Sequence, residues 1–186
     1  MTAILFYPQV TIGKLTGSPG GKTGPPMDNS DCTSCYSVLN TDVTTTNSTS
    51  NIPSTGYVPG NTYNITVVLN PVVGLDPAGF EITCEENTTN TKSGSFGITN
   101  PTSTQFTNNS SAVTHTTAGN SLGTWSFNWV APIAETGDIT FYGAFIEAGY
   151  PLGSNLADYL TLSTLSASEF PLQILQKHQI IILKKS

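Results

Sequence analysis

Arginine is absent from this chain of 186 residues, and lysine occurs six times, three of them in the last ten positions. Only 10% of residues are charged, against about 25% in ordinary soluble domains, and the formal net charge is -6. Nucleic-acid recognition needs a basic footprint to neutralise phosphates, so that partner class is excluded. No apolar run approaches the roughly 18 residues of a membrane helix, which argues against a transmembrane span. No segment of about ten residues carries an apolar period of 3.6, so amphipathic helices are not expected either. Cysteine is scarce: Cys32, Cys35 and Cys84 make one C-x-x-C pair and one leftover thiol, too few for a disulfide framework. What fills the chain instead is threonine, at 29 positions, with serine, asparagine, glycine and proline behind it. This is the composition of a secreted or surface-displayed β protein, and its length suits one domain.

Strand signals are clear in the middle of the chain. Thr62 to Leu69 alternates, with Tyr63, Ile65, Val67 and Leu69 on one face and Asn64 and Thr66 on the other. Gly79 to Glu86 places Phe80, Ile82 and Cys84 inward and Glu81, Thr83 and Glu85 outward. Thr124 to Val130 aligns Trp125, Phe127 and Trp129, a stripe that reads as core rather than as a ligand-stacking face. Ile139 to Ile146 follows, with Ile139, Phe141 and Phe145 on one side, and Leu160 to Leu165 is a shorter candidate. Thr41 to Thr55 reads as a loop or an edge strand. Residues 16 to 31 are punctuated by glycine and proline and cannot form a regular element. Long polar connections are expected over Glu86 to Gly94, Asn100 to Ser111 and Gly149 to Asn155. Several short alternating strands separated by turn signals predict an all-β, antiparallel sandwich.

The ends differ in style. Ala3 to Tyr7 is apolar but lacks the basic leader of a signal peptide, and reads as a first strand. Residues 169 to 186 end in an uninterrupted aliphatic run, Ile180, Ile181, Ile182 and Leu183, then lysines. Such a run reads as a strand that must be covered, because an exposed one invites aggregation.

Candidate chemistry is sparse. Cys32-Thr33-Ser34-Cys35 lacks the following histidine that covalent haem attachment needs, since position 36 is Tyr36. A thioredoxin-like pair needs a helix N-terminus in a βαβ setting. A structural zinc would have to recruit Cys84, His115 or His178 at unrelated spacings. The pair therefore reads as a short disulfide or two thiols, with the bridge contributing roughly 2 kcal/mol at most. His115 has no Gly-x-Ser-x-Gly elbow beside it, and Glu85 and Glu86 point to opposite sides of a strand. Asp28 with Asp31 and Glu135 with Asp138 offer oxygen ligands, yet neither follows an ordered calcium spacing, so both read as solvated loop carboxylates. Asn-x-Ser/Thr acceptors at Asn47, Asn64, Asn87, Asn108 and Asn109 are expected by chance in so asparagine- and threonine-rich a chain. Sugar stacking would require Tyr142, Tyr150 or Tyr159 to face solvent in a shallow groove.

The order of motifs carries a resemblance. It runs from Gly17-x-Pro19-Gly20-Gly21-Lys22-Thr23-Gly24 through Cys32-Thr33-Ser34-Cys35 to Tyr57-x-Pro59-Gly60-x-Thr62-Tyr63. Gly79-Phe80-Glu81-Ile82-Thr83, Val113-Thr114-His115-Thr116, Trp125-Ser126-Phe127-Asn128-Trp129 and Gly137-Asp138-Ile139-Thr140-Phe141-Tyr142 follow. This set resembles the reelin-type (reeler) domain, and more closely its bacterial relative, the choice-of-anchor V domain of secreted Bacteroidetes-type proteins. The resemblance implies an immunoglobulin-like β-sandwich that is exported and surface-associated, with no established catalysis, and no cofactor is expected here. Tyr36 departs from the C-x-x-C-H of bacterial members. Ser168 to Ile174 looks like the start of a sorting segment whose Tyr-Pro-Asn-Pro does not follow. A truncated product, or a tail strand pairing with a neighbouring subunit, would each account for that.

The expected organisation is a strand or extension over 1–16, the reeler-like sandwich over 17–165, and a tail or assembly strand over 166–186. The expected function is non-enzymatic binding or adhesion, extracellular or at the cell surface, toward a polymer or protein ligand that the sequence does not name. Two alternatives accompany it. One is a fibre subunit that self-associates by strand addition through Ile180 to Leu183 or Ala3 to Tyr7. The other is a metal or redox protein built on Cys32 and Cys35.

Overall fold

Alternation along a strand sends every second side chain to the same face, so two such strands bury a shared surface once their apolar faces meet. A computed structural model describes residues 14–34, 40–41, 45–70, 78–120, 122–147 and 159–171. Its strands are β1 (Asn40–Thr41), β2 (Thr45–Ser50), β3 (Thr62–Asn70), β4 (Ala78–Glu86) and β5 (Ser95–Gly97). They continue with β6 (Thr104–Thr107), β7 (Ala112–His115), β8 (Thr124–Val130), β9 (Ile139–Glu147) and β10 (Tyr159–Ala167). One sheet has the order β1-β10-β9-β4-β7-β6 and the other β2-β3-β8-β5. Every pairing is antiparallel except the two-residue contact of β1 with β10, which is parallel. The chain is thus an all-β, immunoglobulin-like sandwich. β1 and β2 sit at the edges of different sheets on the same side of the sandwich, where β2 and β10 also touch.

The apolar faces of β3, β4, β8 and β9 close on one core. Ile65 lies opposite Phe127 and Tyr63 opposite Trp129, while Phe80 lies opposite Phe145. Phe80 is the hub: its ring centroid is 4.7 Å from that of Trp125, and it stacks on Phe127 at 6.1 Å and Phe145 at 6.3 Å. Trp125, Phe127 and Trp129 are all buried, as the stripe predicts. Their polar ends are satisfied too, because Trp125 Nε1 donates to Gly119 O at 2.9 Å and Trp129 Nε1 to Ser93 O at 3.1 Å. Gly143 occupies a core-facing position between Phe141 and Phe145, and a Cβ there would come within 2.8 Å of the Phe145 ring. The missing side chain is the space that ring fills.

The far face of β4 corrects the expectation from alternation. Glu81, Thr83 and Glu85 do point away from the core, but none reaches solvent, and every residue of β4 is buried. Thr83 donates to Ser111 O at 2.8 Å, while the Gly/Pro-rich segment 14–34 covers Glu81 directly and reaches Glu85 through the Asp28–Lys92 ion pair. It is irregular, as its composition predicts, with a single bridge between Thr23 and Asp31. This strap crosses the strands along one cross-strand rank, Gln105, Thr114, Glu81, Ala144 and Leu162. Beneath it Ala144, Ile146 and Leu160 form a small second core with Cys32 packed against them.

Candidate functional site

A strap that crosses strands cannot use the ladder, so its backbone polar groups must be met by side chains. Gln105 Nε2 donates to Thr16 O at 2.5 Å, Thr107 Oγ1 to Ser18 O at 3.0 Å, and Ser18 N to Thr114 Oγ1 at 3.0 Å. The Glu81 carboxylate accepts from the Ser18 hydroxyl and from Gly21 N at 2.8 Å. Gly20 (φ 96) and Gly21 (φ 69) adopt the left-handed turn that aims those amides, a conformation that L side chains resist. Burial nevertheless holds the Glu81 carboxyl above the ordinary range, with the donated hydrogen bonds pulling the other way.

A second latch lies beside it. Lys92 Nζ bridges Asp28 at 2.7 Å and Glu85 at 3.0 Å, with both carboxylates almost fully buried. Thr23 donates to the other Asp28 oxygen at 2.7 Å, whereas Glu85 Oε2 has no partner. Asp28 is therefore not the solvated loop carboxylate that sequence suggests. Asp31 caps its own turn, accepting from Thr33 N at 2.8 Å. Both acids are structural.

The remaining candidates are dispersed. Cys84 is a core thiol, pushed well up by burial. His115 is buried against Phe80 and Gly79, accepts from Phe80 N at 3.2 Å, and is held below its usual value by that burial. Among the described residues no three metal-ligating side chains converge. Cys35 lies outside the described residues, as do His178, Tyr150, Ala3 to Tyr7 and Ile180 to Leu183. Tyr142 and Tyr159 are half-buried. Glu86 turns away from Glu85, as expected, and takes hydrogen bonds from the Thr89 hydroxyl and the Thr88 and Thr89 amides, which draw it down to about 2.

Two clefts are present among the described residues: one of about 470 Å³ is lined by the charged Glu86, Lys92 and Glu135, and one of about 510 Å³ lies where β2 and β10, edge regions of opposite sheets, part company. Ile52, Pro53, Leu165 and Ala167 supply the apolar surface of the β2/β10 cleft. Asn87 and Asp138 stand at one end, joined through their backbones by Asn87 N donating to Asp138 O at 2.9 Å. Most rim hydroxyls are engaged: Ser166 with Thr140 at 2.9 Å, Ser48 with Ser163 at 3.5 Å, and Ser50 accepting from Ile52 N. The side chains of Ser54, Ser168, Asn87 and Asp138 make no hydrogen bond among the described residues. Spacing along the chain pairs Asp138 with Glu135 and carries no signal joining it to Ser54, Asn87 or Ser168, because the cleft joins positions 48 to 168 that only the closed sandwich brings together.

Two sheets, a shared aromatic core and a strapped outer face define a β-sandwich module. The chain belongs to the Reeler domain family, whose model matches residues 30–150. That domain is an extracellular and typically non-catalytic module. Among solved structures, a human F-spondin reeler domain (fragment 1) is similar with a TM-score of 0.52 and 20% identity, covering 67% of this chain and 88% of that one. The Reelin-N domain of F-spondin gives 0.53 and 22%, covering 67% and 85%. A second human F-spondin reeler fragment gives 0.51 and 21%, covering 70% and 94%. At these identities the likeness concerns the fold. The curated proteins give no match in sequence. No helix among the described residues is long and apolar enough to cross a membrane.

Proposed function

We propose that this chain is a non-enzymatic extracellular module that acts by binding or adhesion at a cell surface. The observation that carries the reading is the β2/β10 cleft, where hydroxyl, amide and carboxylate groups lie unpaired around an apolar floor. Ser54, Asn87, Asp138 and Ser168 are all exposed, so their polar atoms are open to a ligand from solvent. Membership of an extracellular family supports the location. The test is direct. The fluorescently labelled full chain should bind the surface of intact cells from its own source, and the native protein should be recovered from the medium or from surface washes. Recovery only from cell interiors, with no surface binding by the labelled chain, overturns the reading.

A further inference from the structure

We infer that the β2/β10 cleft binds an uncharged saccharide, a ligand class that deepens the binding-module reading and rests on it. Among the described residues the cleft is lined by one formal charge, Asp138, and no cation, so a phosphate, sulfate or uronate meets no neutralising side chain there. The surrounding sequence extends this neutrality. No Asp, Glu, Lys or Arg occurs from 43 to 75 or from 93 to 134, segments that supply all of β2, β3, β5 and β8. A lone exposed carboxylate gains little from a free cation in water, but it is a strong acceptor for hydroxyl protons.

Beside it, the Asn87 amide both donates and accepts, and the Ser54 and Ser168 hydroxyls do the same. A carboxylate, an amide and hydroxyls together suit a ligand that donates from one atom and accepts at the next. Vicinal hydroxyls on a pyranose ring have this alternation. The ring's C–H face needs an apolar counterpart, and Pro53 and Leu165 provide one. A volume of about 510 Å³ lies within the range of small-molecule clefts and accommodates a mono- or disaccharide. Water occupies such sites readily, so the expected affinity is low per site, and surface attachment would come from many copies engaging at once.

The experiment uses the full chain expressed in bacteria, so that the acceptor Asn87 stays bare. Amide shifts in two-dimensional NMR are followed against glucose, galactose, mannose, N-acetylglucosamine, cellobiose and lactose. Glucuronic acid and glucose 6-phosphate serve as anionic controls. At least one neutral sugar should perturb residues 48–56, 87, 138 and 165–168 and few others. Asp138→Asn should weaken that response by about tenfold, the size of one charge-assisted hydrogen bond. Asn87→Ala, an exposed side chain whose backbone contact is untouched, should weaken it as well. No response to any neutral sugar, a stronger response to the anionic pair, or a response unchanged by both variants overturns the inference. If the labelled chain still binds cells when both variants are combined, the module reading stands and the cleft assignment falls; loss of all surface binding by the wild type sinks the module reading itself.

Discussion

At the scale of single residues, burial decides which charges matter. An exposed ion pair contributes 0 to about 1 kcal/mol, but removing one partner of a buried pair costs about 3–5 kcal/mol because the other charge is stranded. Lys92 serves two carboxylates, Asp28 and Glu85, that are 4% and 1% exposed. Lys92→Met should therefore lower the unfolding free energy by about 3 kcal/mol, or about 10 °C in Tm, measured by urea and thermal melts. Adding Glu85→Gln should recover part of the loss, since it removes one of the two stranded charges; a double variant no more stable than Lys92→Met would contradict this account. Glu81 makes a separate, pH-dependent claim. Its folded carboxyl ionises above the ordinary value of 4.5, so in that window the folded chain holds a proton that the unfolded chain has released. Stability from this group is greatest at low pH and declines as pH rises through the raised value. Glu81→Gln should accordingly gain on the wild type between pH 4.5 and neutrality, read as urea midpoints across a pH series. Glu86 has the opposite sign: its contribution is present above 4.5 and is lost as pH falls toward about 2.

At the scale of elements, the strap is the part that sequence reading conveyed least. The strands were largely legible. Thr124–Val130 has the bounds that alternation predicts, and the paths of β3, β4, β9 and β10 differ from prediction by one or two residues at an end. Burying an apolar face is a local signal, and it is written locally. β5, β6 and β7 are three or four residues long and fall within stretches that read as polar connections or carried no signal, because so short a run shows no period. The strap is harder still. Its glycines and prolines announce irregular backbone but not destination, and its partners Gln105, Thr107, Thr114 and Glu81 are spread over three strands. The β2/β10 cleft was illegible for the same reason. Gly20→Ala tests the strap's dependence on left-handed backbone, since φ there is 96 and a Cβ would meet Asn108 N at 2.9 Å. A strain of about 1–2 kcal/mol loaded on the closed strap should raise trypsin cleavage after Lys22 by about tenfold. Unchanged cleavage would mean that the turn does not hold the strap down.

At the scale of the whole molecule, one aromatic core links both sheets, and Trp125 and Trp129 both lie inside it on β8. Their emission should be blue-shifted in the native chain and move red in a single step. That step should coincide with loss of the far-ultraviolet strand signal, as two-state unfolding requires. A fluorescence midpoint displaced from the circular-dichroism midpoint would show the two sheets separating before they melt. Charge is divided as cleanly as the core is shared. The four-stranded sheet has no formal charge at all, whereas Glu81, Glu85, Glu86 and Glu147 lie on strands of its partner. The molecule thus has an acidic, strapped side and a neutral, hydroxyl-bearing side, and the β2/β10 cleft opens where they meet.

The pairing of β10 gives the sandwich a mechanical direction. β10 is held to β9 by nine consecutive register pairs, from Tyr159 with Glu147 to Ala167 with Ile139. A pull along β10 loads those pairs side by side, so they must shear together. A pull on the strap at Lys14 reaches the side-chain stitches at Gln105, Thr114 and Glu81 one after another, and peels them. The same domain is therefore stiff when tension enters through its last strand and compliant when it enters through its first described segment.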